Sequence, residues 1–321
     1  MSWLSRKYLP LATTAVLLVL LFATGSVIYR DKNFCSLYVV ADLFSENAFL
    51  GITALGMTIV ILSGGIDLSV GSVIGFTTIF IATMIADHQV HPLVAWTFAL
   101  TAGTAFGLIM GILIQRFRLP AFLVTLGGLF FARGMAFVIK NESVQISHPF
   151  YKTMNKIVLP IGGGAELSFA AMLFLALLGG MIVVLHYTRF GRNVYALGGD
   201  EQSALLMGLP VARTKIAVYA INGFCSSLAG IAMTLFMRSG DPTKGMALEL
   251  DAIAVVVIGG TLLTGGVGYV TGTLLGVLIY GTIYQIKLFA ELPSSLATLA
   301  IGGLLLAFIL LQKVVGVRRQ N

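Results

Sequence analysis

Residues 44–86 read FSENAFLGITALGMTIVILSGGIDLSVGSVIGFTTIFIATMIA. Two long apolar runs, 44–63 and 69–86, are separated here by a short stretch that contains a glycine pair. A helix needs about 20 mainly apolar residues to cross the hydrocarbon core of a bilayer. Each run is close to that length, so the stretch predicts two membrane-spanning helices joined by a very tight connection.

The composition of the whole chain agrees with a membrane protein. Of 321 residues, 58% are hydrophobic and only 10% are charged, whereas a soluble globular protein carries roughly a quarter charged residues. The 37 glycines suit helices that pack closely in lipid. Two cysteines are too few for a disulfide framework, and the four histidines show no metal-site pattern.

Ten apolar runs along the chain predict an all-α, polytopic membrane protein with about ten transmembrane helices. The runs lie near residues 8–29, 44–63, 69–86, 93–114, 120–140, 166–187, 214–236, 249–263, 269–288 and 294–312. The polar stretches between them are short, so residues 1–321 are expected to form a single membrane-spanning domain. The glycine connections near 64–68 and 264–268 leave open whether the flanking segments cross the membrane or re-enter it.

Basic residues in short loops favour the cytoplasmic side. With an even number of spans and a cytoplasmic N-terminus, the inside segments hold eleven basic residues: Arg6, Lys7, Arg116, Arg118, Arg189, Arg192, Arg213, Lys215, Lys313, Arg318 and Arg319. The outside segments hold most of the acids, including Asp31, Asp42, Asp87, Glu142, Asp241 and Glu291. Both termini are therefore predicted to be cytoplasmic, and the net charge of +7 reflects topology and not nucleic-acid binding.

An internal echo suggests a repeat. Residues 61–75 (ILSGGIDLSVGSVIG) and 262–276 (LLTGGVGYVTGTLLG) match at five of fifteen positions. Each copy places a glycine pair, Gly64–Gly65 or Gly265–Gly266, between apolar runs. Interrupted apolar segments in repeated halves often flank a transport pathway, although a tight helical hairpin would have the same pattern.

Asp67 and Ser69 follow the first glycine pair. A carboxylate at the bilayer centre costs on the order of 3 kcal/mol on insertion scales and so suggests a function. Asp67 or Ser69 could instead cap the next helix by accepting its free amide hydrogens. Both interpretations, a helix cap and a contact in a transport pathway, stay open.

The longest inside loop contains ALGGDEQSALLMGL at residues 196–209, followed by Pro210. Gly198–Gly199 is expected to end the preceding span, Asp200 is a good N-cap, and Gly208 and Pro210 stop a helix. About two turns of helix with apolar residues at 204–207 are therefore predicted on the cytoplasmic face. This helix could lie on lipid headgroups or fit a groove on a cytoplasmic partner.

Four segments carry a family resemblance. They are VILSGGIDLSVGSV at 60–73, LPAFLVTLGGLFFARG at 119–134, GRNVYALGGDEQSALLMGL at 191–209 and LELDAIAVVVIGGTLLTGGVGYVTGT at 248–273. In order and spacing they resemble the permeases of the ribose, galactose and arabinose type in bacterial ABC sugar importers. Within that family the chain is most similar to one of the two permeases of a galactofuranose importer.

The resemblance implies a non-enzymatic permease of the bacterial inner membrane, without cofactor or metal. Its implied partners are cytoplasmic ATPase subunits, a second permease (identical or a sister chain), a periplasmic sugar-binding protein and membrane lipid. The short helix would couple to the ATPase through Gly199, Asp200, Glu201, Ala204, Leu205 and Gly208. The translocation pathway would include Gly64, Gly65, Asp67, Ser69, Gly265 and Gly266. No G-x-x-x-x-G-K phosphate loop occurs in the chain, so ATP must bind elsewhere.

Outer loops are expected to dock the binding protein, with Asp241, Glu249 and Asp251 as polar contacts. The main alternative is an ion-coupled secondary sugar transporter, which needs intramembrane acids. Asp67, Glu249, Asp251 and Glu166 are the candidates near span ends, a thin supply for a proton relay.

Overall fold

The computed structural model describes residues 9–317. Arg6, Lys7, Arg318 and Arg319, on which part of the predicted orientation rests, lie outside that range. Fourteen α-helices occur among the described residues: α1 Leu9–Ile28, α2 Leu37–Glu46, α3 Ala48–Leu62, α4 Val70–Ala86, α5 Pro92–Arg116, α6 Ala121–Ile139, α7 Pro149–Met154, α8 Phe169–Tyr187, α9 Arg189–Gly199, α10 Glu201–Leu206, α11 Val211–Met237, α12 Leu248–Ile258, α13 Val270–Phe289 and α14 Ser294–Val317.

Short strands modify the all-α prediction. β1 (Val144–Gln145) pairs antiparallel with β4 (Ser239–Gly240), and β2 (Val158–Gly162) pairs antiparallel with β3 (Ala165–Ser168). Gly162, Gly163 and Gly164 all have positive φ, a conformation that glycine adopts at little steric cost, and they close the β2–β3 hairpin. The strands lie in segments predicted to be outside, except that β3 takes the first three residues of the run predicted at 166–187, so that span begins later than predicted.

Six of the described helices are long and apolar enough to cross a membrane: α1, α5, α6, α8, α11 and α13. The count becomes seven if α2 and α3, which meet at a bend of 57°, form one span. The apolar helices α4 and α14 are shorter by the same measure, and α12 has 11 residues. Every predicted run coincides with a helix, while the count of ten spans and the side on which each terminus lies stay predictions.

Helix α11 is the centre of the bundle. It packs against α5, α3 and α4, and glycines permit the closest of these crossings. A methyl group on Gly107 would lie 3.1 Å from the Cα atom of Gly223, and one on Gly111 would lie 2.9 Å from the Cα atom of Ile216. The close helix packing expected from the many glycines is present here, where the backbones of α5 and α11 approach each other.

Candidate functional site

The predicted cytoplasmic helix is present as α10. Asp200 is its N-cap, and the Asp200 carboxylate accepts a hydrogen bond from the Ser203 amide at 2.6 Å. Hydrogen bonds from the Ser203 side chain and backbone hold the pKa of the Asp200 carboxyl below its ordinary value, because they favour the charged form. Gly208 ends the turn with a φ of 74°, and the Leu209 amide donates to the Ala204 carbonyl at 3.1 Å.

One face of α10 packs and the other does not. Ala204 is fully buried and packs with Leu197 and Val211. Leu206 is 89% exposed and Met207 67% exposed, so an apolar edge of α10 projects from the chain. An exposed apolar edge of this kind is typical of an interaction surface.

Two further residues of the predicted coupling set, Glu201 and Leu205, differ from each other in their surroundings. The Glu201 carboxylate accepts two hydrogen bonds from the Lys215 ammonium, at 2.7 and 2.8 Å, which ties α10 to the start of α11. Leu205 is 55% exposed and extends the apolar edge of Leu206 and Met207.

The prediction that Gly198–Gly199 ends a membrane span is wrong. The preceding long helix, α8, ends at Tyr187, and the glycines end a separate helix, α9. Thr188 begins α9 by accepting a hydrogen bond from the Gly191 amide at 3.3 Å. This cap halts the apolar run and lets α9 turn away from α8.

The two glycine pairs of the sequence echo meet each other and Gly198. The Gly266 amide donates to the Leu62 carbonyl at 2.9 Å. A methyl group on Gly265 would lie 2.8 Å from the Gly64 Cα atom, and one on Gly198 would overlap the Leu62 carbonyl and lie 2.6 Å from the Gly266 nitrogen. We call Gly64, Gly198, Gly265 and Gly266 the glycine junction. It joins the ends of α3 and α9 to the loop after α12. One residue, Gly199, separates Gly198 from Asp200, the N-cap of α10.

Gly65 and Gly199 lie beside the junction but differ from its members. A methyl group on Gly65 would lie 2.5 Å from the Tyr219 hydroxyl oxygen, whereas one on Gly199 would meet no atom within 4 Å. The backbone contact is therefore made by Gly198, which was not in the predicted coupling set, while the role of Gly199 in coupling stays a prediction. Because both glycines stand next to each other in the chain, no local signal distinguishes them.

Asp67 and Ser69 form a buried polar cluster with a partner that the sequence did not indicate. Asp67 is 3% exposed, and its carboxylate accepts from the Ser69 amide at 2.8 Å and the Ser69 hydroxyl at 2.6 Å. The Asn222 side-chain amide donates to the other carboxylate oxygen at 2.8 Å. Ser69 is the N-cap of α4 and its side chain makes no cap hydrogen bond, so the predicted capping role is wrong for Ser69, whereas Asp67 accepts the free Ser69 amide at the start of α4.

The depth of this cluster follows from α11. Asn222 lies near the middle of that 27-residue helix, which is about 40 Å long at the usual helical rise. If α11 crosses the membrane, Asp67 is held near the bilayer centre. No ion pair involves Asp67 in the part of the chain that the structure describes.

Glu249 and Asp251 are helical and do not lie in a loop as predicted, while their role in docking the binding protein stays a prediction. Both lie in the first turn of α12, where the Asp251 carboxylate accepts from the Tyr280 hydroxyl at 3.0 Å. Asp241 comes earlier, in an extended stretch, and accepts from the Thr243 amide at 2.8 Å. Of the remaining acids, Glu166 lies in β3 and not at the start of a span.

Among residues 9–317, no group of three or more His, Cys, Asp or Glu side chains could hold a metal ion.

Comparison with known proteins identifies the family. A family model described as the permease component of the branched-chain amino acid transport system matches residues 39–309. The inner membrane ABC transporter permease protein YjfF of Escherichia coli K12 is 45% identical over 98% of this chain and 95% of its own length. The fructose import permease protein FruG of Bifidobacterium longum is 36% identical over 97% and 93%, respectively.

The ribose import permease protein RbsC of Escherichia coli K12 is 37% identical over 87% of this chain and 86% of its own length. No solved structure gives a significant match. With a family model across most of the chain and nearly full-length relatives, the chain belongs to this family of transport-system permease components and is a multi-pass protein of the inner membrane.

Proposed function

We propose that this chain is the membrane-spanning permease subunit of an ATP-driven sugar importer. The solute is a monosaccharide, galactofuranose or a related hexose or pentose, delivered by a periplasmic binding protein. The names of the relatives, which include ribose and fructose import permeases, support the solute class. The chain itself is not an enzyme in this proposal, because ATP is hydrolysed on a separate subunit.

The observation that carries the proposal is the exposed apolar edge of α10. Leu205, Leu206 and Met207 project from a helix whose other face is packed, and a helix of this kind fits a groove on a partner. The ATPase subunit is the proposed partner. Asp200 and Gly208 hold the two ends of the helix, Ala204 anchors it, and the pairing of Glu201 with Lys215 fixes its direction.

The glycine junction gives this coupling helix a mechanical path into the membrane. When the ATPase moves α10, the pull reaches Gly198 within three residues and then the backbones of Leu62 and Gly266. We propose that the breaks at Gly64, Gly65, Gly265 and Gly266, together with Asp67 and Ser69, open and close the translocation pathway. Backbone-to-backbone contacts transmit such motion because no flexible side chain lies between them.

The functional unit proposed here contains two permeases, either identical or sister chains, with two ATPase subunits below and the binding protein above. Membrane lipid covers the remaining apolar surface, such as Leu299 and Leu306 on α14, which are 72% and 64% exposed.

Reconstitution in proteoliposomes tests the function. The permease, its co-purifying ATPase and the binding protein should take up a sugar from a panel of ribose, arabinose, fructose and galactofuranose only when ATP is inside. The double variant Leu205→Glu/Leu206→Glu should lose uptake and ATPase co-purification while still inserting in the membrane. Phe117→Glu is the matched control, because Phe117 is 64% exposed on another inside loop and should leave both properties intact.

The alternative is an ion-coupled secondary sugar transporter with Asp67 as the coupling acid, which its burial without an ion pair favours. Uptake that follows a proton gradient, needs no ATP and survives the α10 double variant would replace the importer by this alternative.

A further inference from the structure

The segment between β4 and α12 descends into the bundle without forming a helix. A methyl group on Gly240 would lie 2.6 Å from the Ala82 Cβ atom, and one on Gly75 would lie 2.7 Å from the Lys244 carbonyl oxygen. Deeper still, the Gly245 backbone touches Gly71 in the first turn of α4. The distance from Ala82 to Gly71 along α4 is about 16 Å at the usual helical rise, so the segment reaches that far below its entry point.

The lower end of this segment lies near the middle of α11. Gly230, seven residues before the end of α11, contacts Thr77 of α4, and Gly71 is nearly two turns further down. Non-helical backbone at this depth is tolerated only where protein buries it or where it lines a water-filled cavity. Residues 239–247 therefore cannot face lipid tails along their length.

Two opposite charges stand beside the descending segment. The Arg133 guanidinium, from α6, donates to the carbonyls of Pro242 and Lys244, the latter at 2.8 Å. Glu249, in the first turn of α12, lies against Gly71 and interacts electrostatically with Arg133. Arg133 thus lies against Gly75 and Glu249 against Gly71, one helical turn away on α4. The absence of a side chain at each glycine leaves room for the charged group.

Glu249 is incompletely satisfied. Its Oε2 atom is buried and has no hydrogen-bond donor among the described residues, and no ion pair joins it to Arg133. Ionisable side chains within the membrane almost always face the protein interior or a water-filled pathway. The described residues therefore leave this carboxylate oxygen able to accept a hydrogen bond from a solute.

The two charged side chains lie next to a surface that no other part of the described chain covers. Met246 is 67% exposed and Leu250 59% exposed, and Ala247 and Gly134 beside them are exposed as well. In the sequence these residues adjoin the half-buried Arg133 and Glu249. Lipid on this face would leave both charges in hydrocarbon, whereas an aqueous pathway would hydrate them.

We propose that Glu249, Arg133 and the carbonyls of residues 242–245 form a solute-contact site inside the permease, at the level where α4 and α12 begin. The solute class is a neutral polyhydroxylated molecule. A carboxylate accepts hydroxyl hydrogens, a guanidinium donates to hydroxyl oxygens, and the charges of the pair sum to zero, so it favours neither a cation nor an anion. The solute is the monosaccharide of the proposed function, on which this inference rests, and the site is additional to the pathway glycines.

Thiol labelling tests whether this face is wet. In a background with Cys35→Ser and Cys225→Ser, Leu250→Cys should react with the membrane-impermeant sulfonatoethyl methanethiosulfonate, because a hydrated thiolate attacks the sulfenyl sulfur of the reagent and releases methanesulfinate. Leu299→Cys, on the 72% exposed surface of α14, is the lipid-facing control and should not react. A saturating concentration of the sugar with the highest wild-type uptake should slow labelling at position 250. Absence of labelling at position 250, or labelling that the sugar does not slow, would overturn the proposal.

Transport kinetics provide the second test. Glu249→Gln should raise the sugar concentration needed for half-maximal uptake about tenfold, as expected for weakening a charge-assisted hydrogen bond. Co-purification of the ATPase should not change. Glu46→Gln is the control: the Glu46 side chain is exposed and its carboxylate accepts a hydrogen bond from the Gln285 amide at 3.1 Å, so this variant should transport as the wild type does.

The two proposals fail in different ways. If the wild-type assembly shows no ATP-dependent sugar uptake, the proposed function fails. If the wild type transports and Glu249→Gln has wild-type kinetics, the importer stands and the solute-contact site is wrong.

Discussion

Gly71 is the residue at which two interrupted segments touch. Its neighbours are the Gly245 carbonyl and the Glu249 carboxylate, and both occupy the place that a side chain would take. Gly245 has a φ of 71°, which turns the descending backbone into this contact and which non-glycine residues adopt at a steric cost. The pair shows how α4 and the start of α12 depend on two missing side chains.

We expect Gly71→Ala to lower the stability of the protein in detergent by about 1–3 kcal/mol, the usual range for forcing extra volume into a packed site. The methyl group would overlap the Gly245 carbonyl, and backbone cannot rotate away as a side chain can. The thermal unfolding midpoint of the purified protein measures the effect.

The control is Gly127→Ala in α6, where a methyl group would meet no atom within 4 Å. Alanine is favoured over glycine in a helix by up to about 1 kcal/mol, so this variant should be neutral or slightly more stable. Equal midpoints for both alanine variants would show that the close approach at Gly71 has no energetic weight.

At the level of single residues, the sequence indicated which side chains are unusual but not what they contact. Asp67 stands out as an acid among apolar residues, yet its amide donor, Asn222, is 155 residues away. From the local sequence, only neighbouring amides can be inferred as partners of this carboxylate. A helix cap was therefore one of the two interpretations. Glu249 and Asp251 were assigned to an outer loop because the first residue of a short helix such as α12 has no distinct signature in an apolar sequence.

Helix α10 is an element whose form could be predicted from local chemistry. The Asp200 cap, the Gly208 turn and Pro210 are all short-range signals, and the structure confirms the helix they indicate. Helix α9 and the descending segment could not be found in the same way. Their paths are fixed by backbone contacts with distant residues, Leu62 for Gly198 and Gly71 for Gly245.

The adjacent glycines at the end of α9 allow a paired test of the glycine junction. Gly198→Ala should reduce ATP-driven uptake severalfold, because the methyl group would separate the end of α9 from Leu62 and Gly266. ATPase co-purification should persist, since the exposed edge of α10 is untouched. Uptake per co-purified ATPase in proteoliposomes is the measurement.

Gly199→Ala is the control, because its methyl group would point into open space. It should keep wild-type uptake. If both variants transport normally, the glycine junction does not transmit motion; if both fail, the requirement is for a flexible backbone and not for the contact at Gly198.

For the whole molecule, hydropathy predicted the class of protein and the approximate location of the long apolar helices. It could not predict that α11 would be central or that 201 residues of sequence would separate two glycine pairs that touch, Gly64–Gly65 and Gly265–Gly266. Such arrangements depend on helix–helix packing, and an apolar run does not specify which helix it packs against. The predicted orientation of the chain in the membrane rests on loop charge alone and can be tested directly.

The two native cysteines report that orientation. Cys35, exposed between α1 and α2, should react with a membrane-impermeant maleimide from the periplasmic side if the N-terminus is cytoplasmic. Cys225, fully buried in α11, should stay unlabelled and serves as the internal control. Mass spectrometry of protein from spheroplasts and from inverted vesicles measures both sites, and labelling of Cys35 only in inverted vesicles would reverse the predicted topology.

The descending segment also constrains how the protein is made. During synthesis, residues 239–258 would present a span that contains Asp241, Lys244, Glu249 and Asp251, and an acid near the centre of an isolated span opposes insertion by roughly 3 kcal/mol. This stretch is therefore a poor substrate for the insertion machinery on its own. We expect it to wait at the translocon until α13 has emerged and then to enter the bilayer against α4, so that the last third of the chain inserts as a cooperative unit.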